Sequence, residues 1–159
     1  MLNKAAKIIM NFLSIFAGML FLSLFILNVS RILLRYIWGI AMIWLPDLSR
    51  LLFIWLVFVG ASVLVGGNEH LIMDFFISKL KPGNKRKLNN LIQLCQIAFF
   101  AVMFIGGIPV VKVRMRIPFD TWDFPTGWAY LAIPVCAAFM IIFSINNIAN
   151  NSNKETRDE

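Results

Sequence analysis

One histidine, two cysteines and eight acidic residues are few reactive or metal-binding side chains for a chain of 159 residues. A single histidine, His70, cannot supply the paired imidazoles of common zinc sites. Cys95 and Cys136 both lie within apolar runs, where they behave as small hydrophobes, so neither a disulfide framework nor a paired-thiol redox centre is expected. Outside the apolar runs no interleaving of basic and aromatic residues marks a nucleic-acid surface. The net charge of +7 therefore needs another explanation.

Charge is missing altogether from four long segments. Ile8–Val29, Leu51–Gly67, Leu88–Val111 and Gly127–Ile148 contain no Asp, Glu, Lys or Arg. At a helical rise of about 1.5 Å per residue they reach roughly 26 to 36 Å, against a hydrocarbon core of about 30 Å. A soluble core would intersperse charge every few residues, whereas 60% of this chain is hydrophobic and 14% charged. The composition specifies an all-α integral membrane protein with four transmembrane helices. One four-helix domain is expected over residues 1–149, followed by a polar, unstructured cytoplasmic tail over 150–159. Lys4 and Lys7 precede the first run as in a signal peptide. That run is longer than a signal h-region and no small-x-small cleavage site follows it, so it is retained as helix one.

The basic residues sit beside the spans, where attraction to anionic lipid and control of topology account for them. Nine fall on the side shared by the N-terminus, the second connection and the C-terminus, and six on the other. The positive-inside rule places both termini in the cytoplasm.

Arg31 and Arg35 are one helical turn apart, and Tyr36, Trp38 and Trp44 suit the headgroup level. Ser30–Leu45 is accordingly expected to form a tilted extension of helix one and then an interfacial amphipathic segment before helix two. Pro46 and Asp47 open helix two, where proline is tolerated and a carboxylate meets the positive end of the helix dipole. Arg50, three residues on, is placed to pair with Asp47. Ser62 and Gly66 have the small-xxx-small spacing that permits close helix approach. His70 and Asp74 would share a helix face at the cytoplasmic end. A hydrogen-bonded helix end is favoured there over a proton relay or metal site, because a metal would need further ligands of this type and the chain has no second histidine. Asn89, Gln93 and Gln96 form a polar stripe on helix three, which should face protein or the interface. Gly106, Gly107 and Pro109 are expected to loosen or kink that helix. The connection after it carries Arg114, Arg116, Asp120, Trp122 and Asp123, a candidate docking surface or an aromatic membrane anchor. Pro134 is deep enough in helix four to bend it.

Three groups of these residues carry a resemblance. Asp47, Arg50, Trp55, Gly60 and Ala61 on helix two, His70 and Asp74 beyond it, and Phe124, Gly127, Tyr130 and Pro134 around the start of helix four are arranged in order along the chain. In this arrangement and in its four-helix layout the chain resembles the small membrane subunit, or Q subunit, of tripartite ATP-independent periplasmic (TRAP) transporters. That family often has glutamate where this chain has Asp47.

The resemblance implies a bacterial inner-membrane complex that imports organic acids of the dicarboxylate or sialic-acid type by sodium symport. The implied partners are a large membrane subunit, which carries the transport path and the sodium sites, and a periplasmic substrate-binding protein. The small subunit is expected to scaffold the large one and to help dock the binding protein. It would have no catalytic, metal or substrate residues of its own and need no cofactor. Asp47, Arg50, Trp55, Gly60, His70, Asp74, Gly127 and Pro134 then become structural or subunit-contact positions, and Arg114, Arg116, Asp120 and Asp123 candidate docking residues. Arg31, Arg35, Tyr36, Trp38 and Trp44 are expected to anchor the chain at the lipid interface.

Two other classes call for residues this chain has little of. A self-sufficient four-helix exporter would need a carboxylate within a span, where each charge costs roughly 2.5–3.5 kcal/mol and is kept only for function. A membrane enzyme would need a cluster of reactive side chains at one membrane face, for which only Glu69, His70 and Asp74 are available.

Overall fold

The computed structural model describes residues 2–67 and 82–155. Among them the regular elements are helices α1 (Leu2–Ile37), α2 (Leu45–Gly66), α3 (Pro82–Arg114), α4 (Gly127–Tyr130) and α5 (Ala132–Glu155). Among the described residues four stretches are long and apolar enough to cross a membrane: Ala6–Ile37, Leu45–Gly66, Leu91–Arg114 and Gly127–Asn147. The four expected spans are all present, and helix two begins where Pro46 and Asp47 predict. His70, Asp74 and Glu69 lie outside the described residues.

The helices form an open row. α5 lies between α2 and α3, α1 packs mainly on α2 with a smaller contact to α5, and among the described residues α3 touches neither α1 nor α2. The fourth span, Gly127–Asn147, is therefore the most buried, and the others leave broad apolar faces outward. Ile8, Phe12, Ile15, Met19 and Leu22 of α1 are all more than half exposed. In lipid such faces cost nothing, since the hydrocarbon is as apolar as the side chains.

What holds the row together is close packing and a few polar ties. Leu13, Val59, Phe100, Cys136, Met140 and Phe143 make the buried core. Ser62 is fully buried; its Oγ donates to the Phe58 carbonyl at 2.9 Å and reaches the Cys136 carbonyl of α5 at 3.4 Å. Farther along the same seam, Gly66 faces the Phe143 ring and the Asn147 side-chain amide donates to the Val65 carbonyl at 3.0 Å. The small-xxx-small pair thus marks the α2–α5 contact. On the other side of α5, Gly107 sits against Ile133 and Pro134. Gly106 has open space around it, as has Gly60. α3 passes through Gly106, Gly107 and Pro109 without interruption; the glycine next to Pro134 serves packing.

Pro134 acts on its own helix as its chemistry requires. It cannot donate to the Tyr130 carbonyl four residues back, and its ring crowds that carbonyl. The helix breaks at Leu131, separating α4 from α5. At its far end α5 continues to Glu155, so the segment expected to be an unstructured tail begins as helix over residues 150–155.

α1 extends past its apolar run to Ile37, as expected from Arg31 and Arg35. Gly39, at φ +68°, then reverses the chain, and the Ile40 N–H donates to the Leu34 carbonyl at 3.1 Å. Glycine takes this left-handed conformation without steric cost and commonly ends helices in this way. Residues 38–44 connect α1 to α2 without forming a helix, and Trp38, Ile43 and Trp44 stand exposed on them.

Candidate functional site: the cap that joins α2 to the third connection

The third connection folds into a compact hairpin-like turn. The Phe119 N–H donates to the Phe124 carbonyl and the Thr126 N–H to the Ile117 carbonyl, both at 2.9 Å, around a bridge between Pro118 and Pro125. The Thr126 hydroxyl is buried, 3.1 Å from the Arg114 carbonyl and 2.9 Å from that of Ile117. Its single proton is directed between these two carbonyls, which also accept the Ile117 and Thr126 N–H groups, so it ties the end of α3 to the returning chain. Gly127 lets the returning chain touch the departing one: a β-carbon there would lie 2.6 Å from Met115 Cγ and 2.7 Å from its backbone nitrogen. Phe119, Trp122, Phe124 and Trp128 form a row with successive ring centroids 5.5–6.1 Å apart, the first two pairs tilted and the last stacked.

Helix two grips this turn with three side chains. Asp47 is buried, and its Oδ2 accepts from the Thr121 N–H at 3.1 Å and from the Thr121 hydroxyl at 2.6 Å. Arg50 Nη2 donates to the Tyr130 hydroxyl at 3.1 Å. Trp55 Nε1 donates to the Trp128 carbonyl at 3.1 Å. The predicted Asp47–Arg50 pair is thus replaced by two longer-range contacts. Both side chains leave the start of α2 toward the turn, where a backbone donor and two hydroxyls offer better-directed partners than a surface ion pair does. Arg114 adds to the cluster, its guanidinium 5.0 Å from the centre of the Tyr130 ring. Tyr130 so lies between two cations, one on its hydroxyl and one on its face.

The four candidate docking residues divide. Arg116, Asp120 and Asp123 are exposed on the turn, whereas Arg114 is half-buried against Tyr130. Pattern reading had no signal for Thr121, since nothing in the local sequence distinguishes it from any loop threonine. Tyr130 belonged to the helix-four motif, but its partners lie on other elements. Among the described residues no three of His, Cys, Asp and Glu gather as metal ligands. The cap has the chemistry of a structural joint: aromatic surfaces, directed hydrogen bonds and an exposed charged rim.

The family described as "Tripartite ATP-independent periplasmic transporters, DctQ component" matches residues 24–153. The chain belongs to the DctQ family of TRAP transporter components. The match includes α2 and the whole 115–134 region, so the residues that meet in the cap lie within it. Three curated relatives are similar. The sialic acid TRAP transporter permease protein SiaT of Haemophilus influenzae is 30% identical over 80% of this chain and 25% of its own length. The sialic acid TRAP transporter small permease protein SiaQ of Vibrio cholerae is 22% identical over 94% of this chain and 86% of its own. The C4-dicarboxylate TRAP transporter small permease protein DctQ of Vibrio cholerae is 30% identical over 52% of this chain and 35% of its own. The chain thus spans about a quarter of SiaT and most of SiaQ. Membership of a TRAP membrane component agrees with the four spans and makes this a multi-pass inner-membrane protein.

Proposed function

We propose that this DctQ-family chain is the small membrane subunit of a TRAP transporter, scaffolding a large transport subunit and helping to dock a periplasmic binding protein. The family match over residues 24–153 carries the reading. Sialic acid and C4-dicarboxylates, named for the relatives, give the substrate class as organic acids. The quarter-length match to SiaT supports a large companion, because most of that permease lies outside the region this chain resembles.

Physical features agree. The four apolar runs contain no charged side chain that could bind an ion or an acid at mid-membrane. An open row of helices, with wide apolar faces, suits a body that packs beside another membrane protein. The chain performs no catalysis and carries no cofactor; sodium coupling belongs to the large subunit. The basic asymmetry orients both termini, and the polar end of α5, toward the cytoplasm. The cap around Asp47, Thr121 and Tyr130 then faces the periplasm, with Arg116, Asp120 and Asp123 toward the binding protein.

Reconstitution tests this. Liposomes containing the chain alone should take up neither sialic acid nor succinate under an inward sodium gradient. Adding the large subunit and the binding protein should restore uptake. Sodium-driven uptake by the chain alone would overturn the scaffold reading.

A further inference from the structure

The end of α1 and the connection that folds back from it enclose a pocket of about 200 Å³. Its walls are apolar, with Ile40, Met42, Ile43 and Leu45 among them, and its two charged lining residues are Arg31 and Arg35. Both guanidinium side chains are exposed, and they stand one helical turn apart. Among the described residues no acidic side chain lines the pocket. Asp47, the carboxylate nearest in sequence, is committed to Thr121.

Depth matters as much as charge. The apolar run of α1 ends at Val29. Along the helix axis Arg31 lies about 3 Å beyond it and Arg35 about 9 Å. Headgroups occupy roughly the 5–8 Å outside each edge of the hydrocarbon. The two cations therefore bracket the level of lipid phosphates, with an apolar pocket beside them. Tyr36 and Trp38, both largely exposed, flank the site with side chains suited to that layer. The turn at Gly39 and the Ile40–Leu34 hydrogen bond tie the start of the returning segment to the end of the helix.

We propose that this pocket is a specific site for one anionic phospholipid. The phosphodiester is held by Arg31 and Arg35, and the upper part of one acyl chain lies over Ile40–Leu45. Guanidinium pairs favour phosphate through directed, charge-assisted hydrogen bonds. This differs from general anchoring by basic residues because it requires the arginines and the pocket together.

The test uses the full-length chain in nanodiscs containing equal phosphatidylglycerol and phosphatidylcholine, read by native mass spectrometry of the lipids retained on release. Phosphatidylglycerol should be retained about tenfold over phosphatidylcholine. Arg31→Gln with Arg35→Gln should abolish that preference. Ala41→Trp, which fills the pocket and keeps both arginines, should lower it as well. Lys112→Gln, an exposed cation in the last turn of α3, should leave it unchanged. Equal retention of the two lipids would overturn the proposal, as would a preference that survives either pocket substitution or is lost equally in the Lys112 variant. Loss of the retained lipid when the large subunit binds would also overturn it, making the arginines a protein contact. Circular dichroism of each variant should match the parent, so that a folding defect is not mistaken for lost binding.

Discussion

Asp47 and Thr121, 74 residues apart in sequence, meet through two hydrogen bonds to one carboxylate oxygen, 2.6 Å from the hydroxyl and 3.1 Å from the backbone nitrogen. The contact closes the third connection over the start of α2. It also explains a carboxylate that is buried without an ionic partner among the described residues: a backbone N–H and a hydroxyl both aim at it. Removing either partner should be felt at the other. Asp47→Ala and Thr121→Val should each cost about 1–2 kcal/mol, since each removes hydrogen bonding at the buried carboxylate. The double variant should cost clearly less than the sum. Thermal unfolding of the four proteins in detergent measures this, and strictly additive losses would deny that the pair is coupled.

Gly127 is predicted to be intolerant of any side chain. An added β-carbon would meet Met115 within 2.6–2.8 Å, one of the atoms being backbone. Gly127→Ala should lower stability by about 1–3 kcal/mol, the usual cost of overpacking. Shortening the neighbour, in Gly127→Ala with Met115→Ala, should recover only part of it, because the Met115 backbone still stands in the way. A neutral Gly127→Ala would place the turn differently.

The α2–α5 seam depends more on the size of Ser62 than on its hydroxyl. Hydrogen bonds between membrane helices average about 0.6 kcal/mol in measured cases. Ser62→Ala should therefore be nearly silent in a thermal melt. Ser62→Leu should force α5 away from α2 and reduce the yield of folded protein. Equal damage from both substitutions would instead assign the seam to the hydroxyl.

Orientation can be read by labelling. In a Cys95→Ala, Cys136→Ala background, Asp120→Cys should react with a membrane-impermeant maleimide added from the periplasmic side. Ser152→Cys should react only after permeabilisation. The reverse pattern would invert the proposed topology.

Arg116 provides a clean test of docking, because it is exposed and, unlike Arg114, does not lie against Tyr130. Arg116→Glu should raise the binding-protein concentration needed for half-maximal uptake several-fold and leave the maximal rate near that of the parent. Rim charges act mainly on encounter. A fall in maximal rate without a change in that concentration would mean that Arg116 acts in assembly or transport.

Much of the architecture was legible in the sequence because lipid imposes a severe rule. Every spanning segment must satisfy its own backbone and exclude charge, so span number and approximate limits appear as uncharged runs about 20 residues long. Local chemistry was legible for the same kind of reason. Pro46 and Asp47 mark the start of α2, and the prolyl ring of Pro134 interrupts the fourth span. Gly39 supplies the left-handed turn that ends α1, although its role became visible only with the backbone traced.

Partner choice across the chain was decided by the tertiary structure. Spacing placed Arg50 beside Asp47, yet Asp47 binds Thr121 and Arg50 binds Tyr130. The two arrangements differ in which elements stand nearby, and periodicity along one helix carries no information about that. The order of helices in the row has the same origin: uncharged runs are equally at home against lipid or against one another. Their neighbours were selected by where small residues permit contact, Ser62 and Gly66 on one side of α5 and Gly107 on the other. Hydrophobicity therefore determined that the four segments enter the membrane, and steric fit with a few directed hydrogen bonds determined how they meet there.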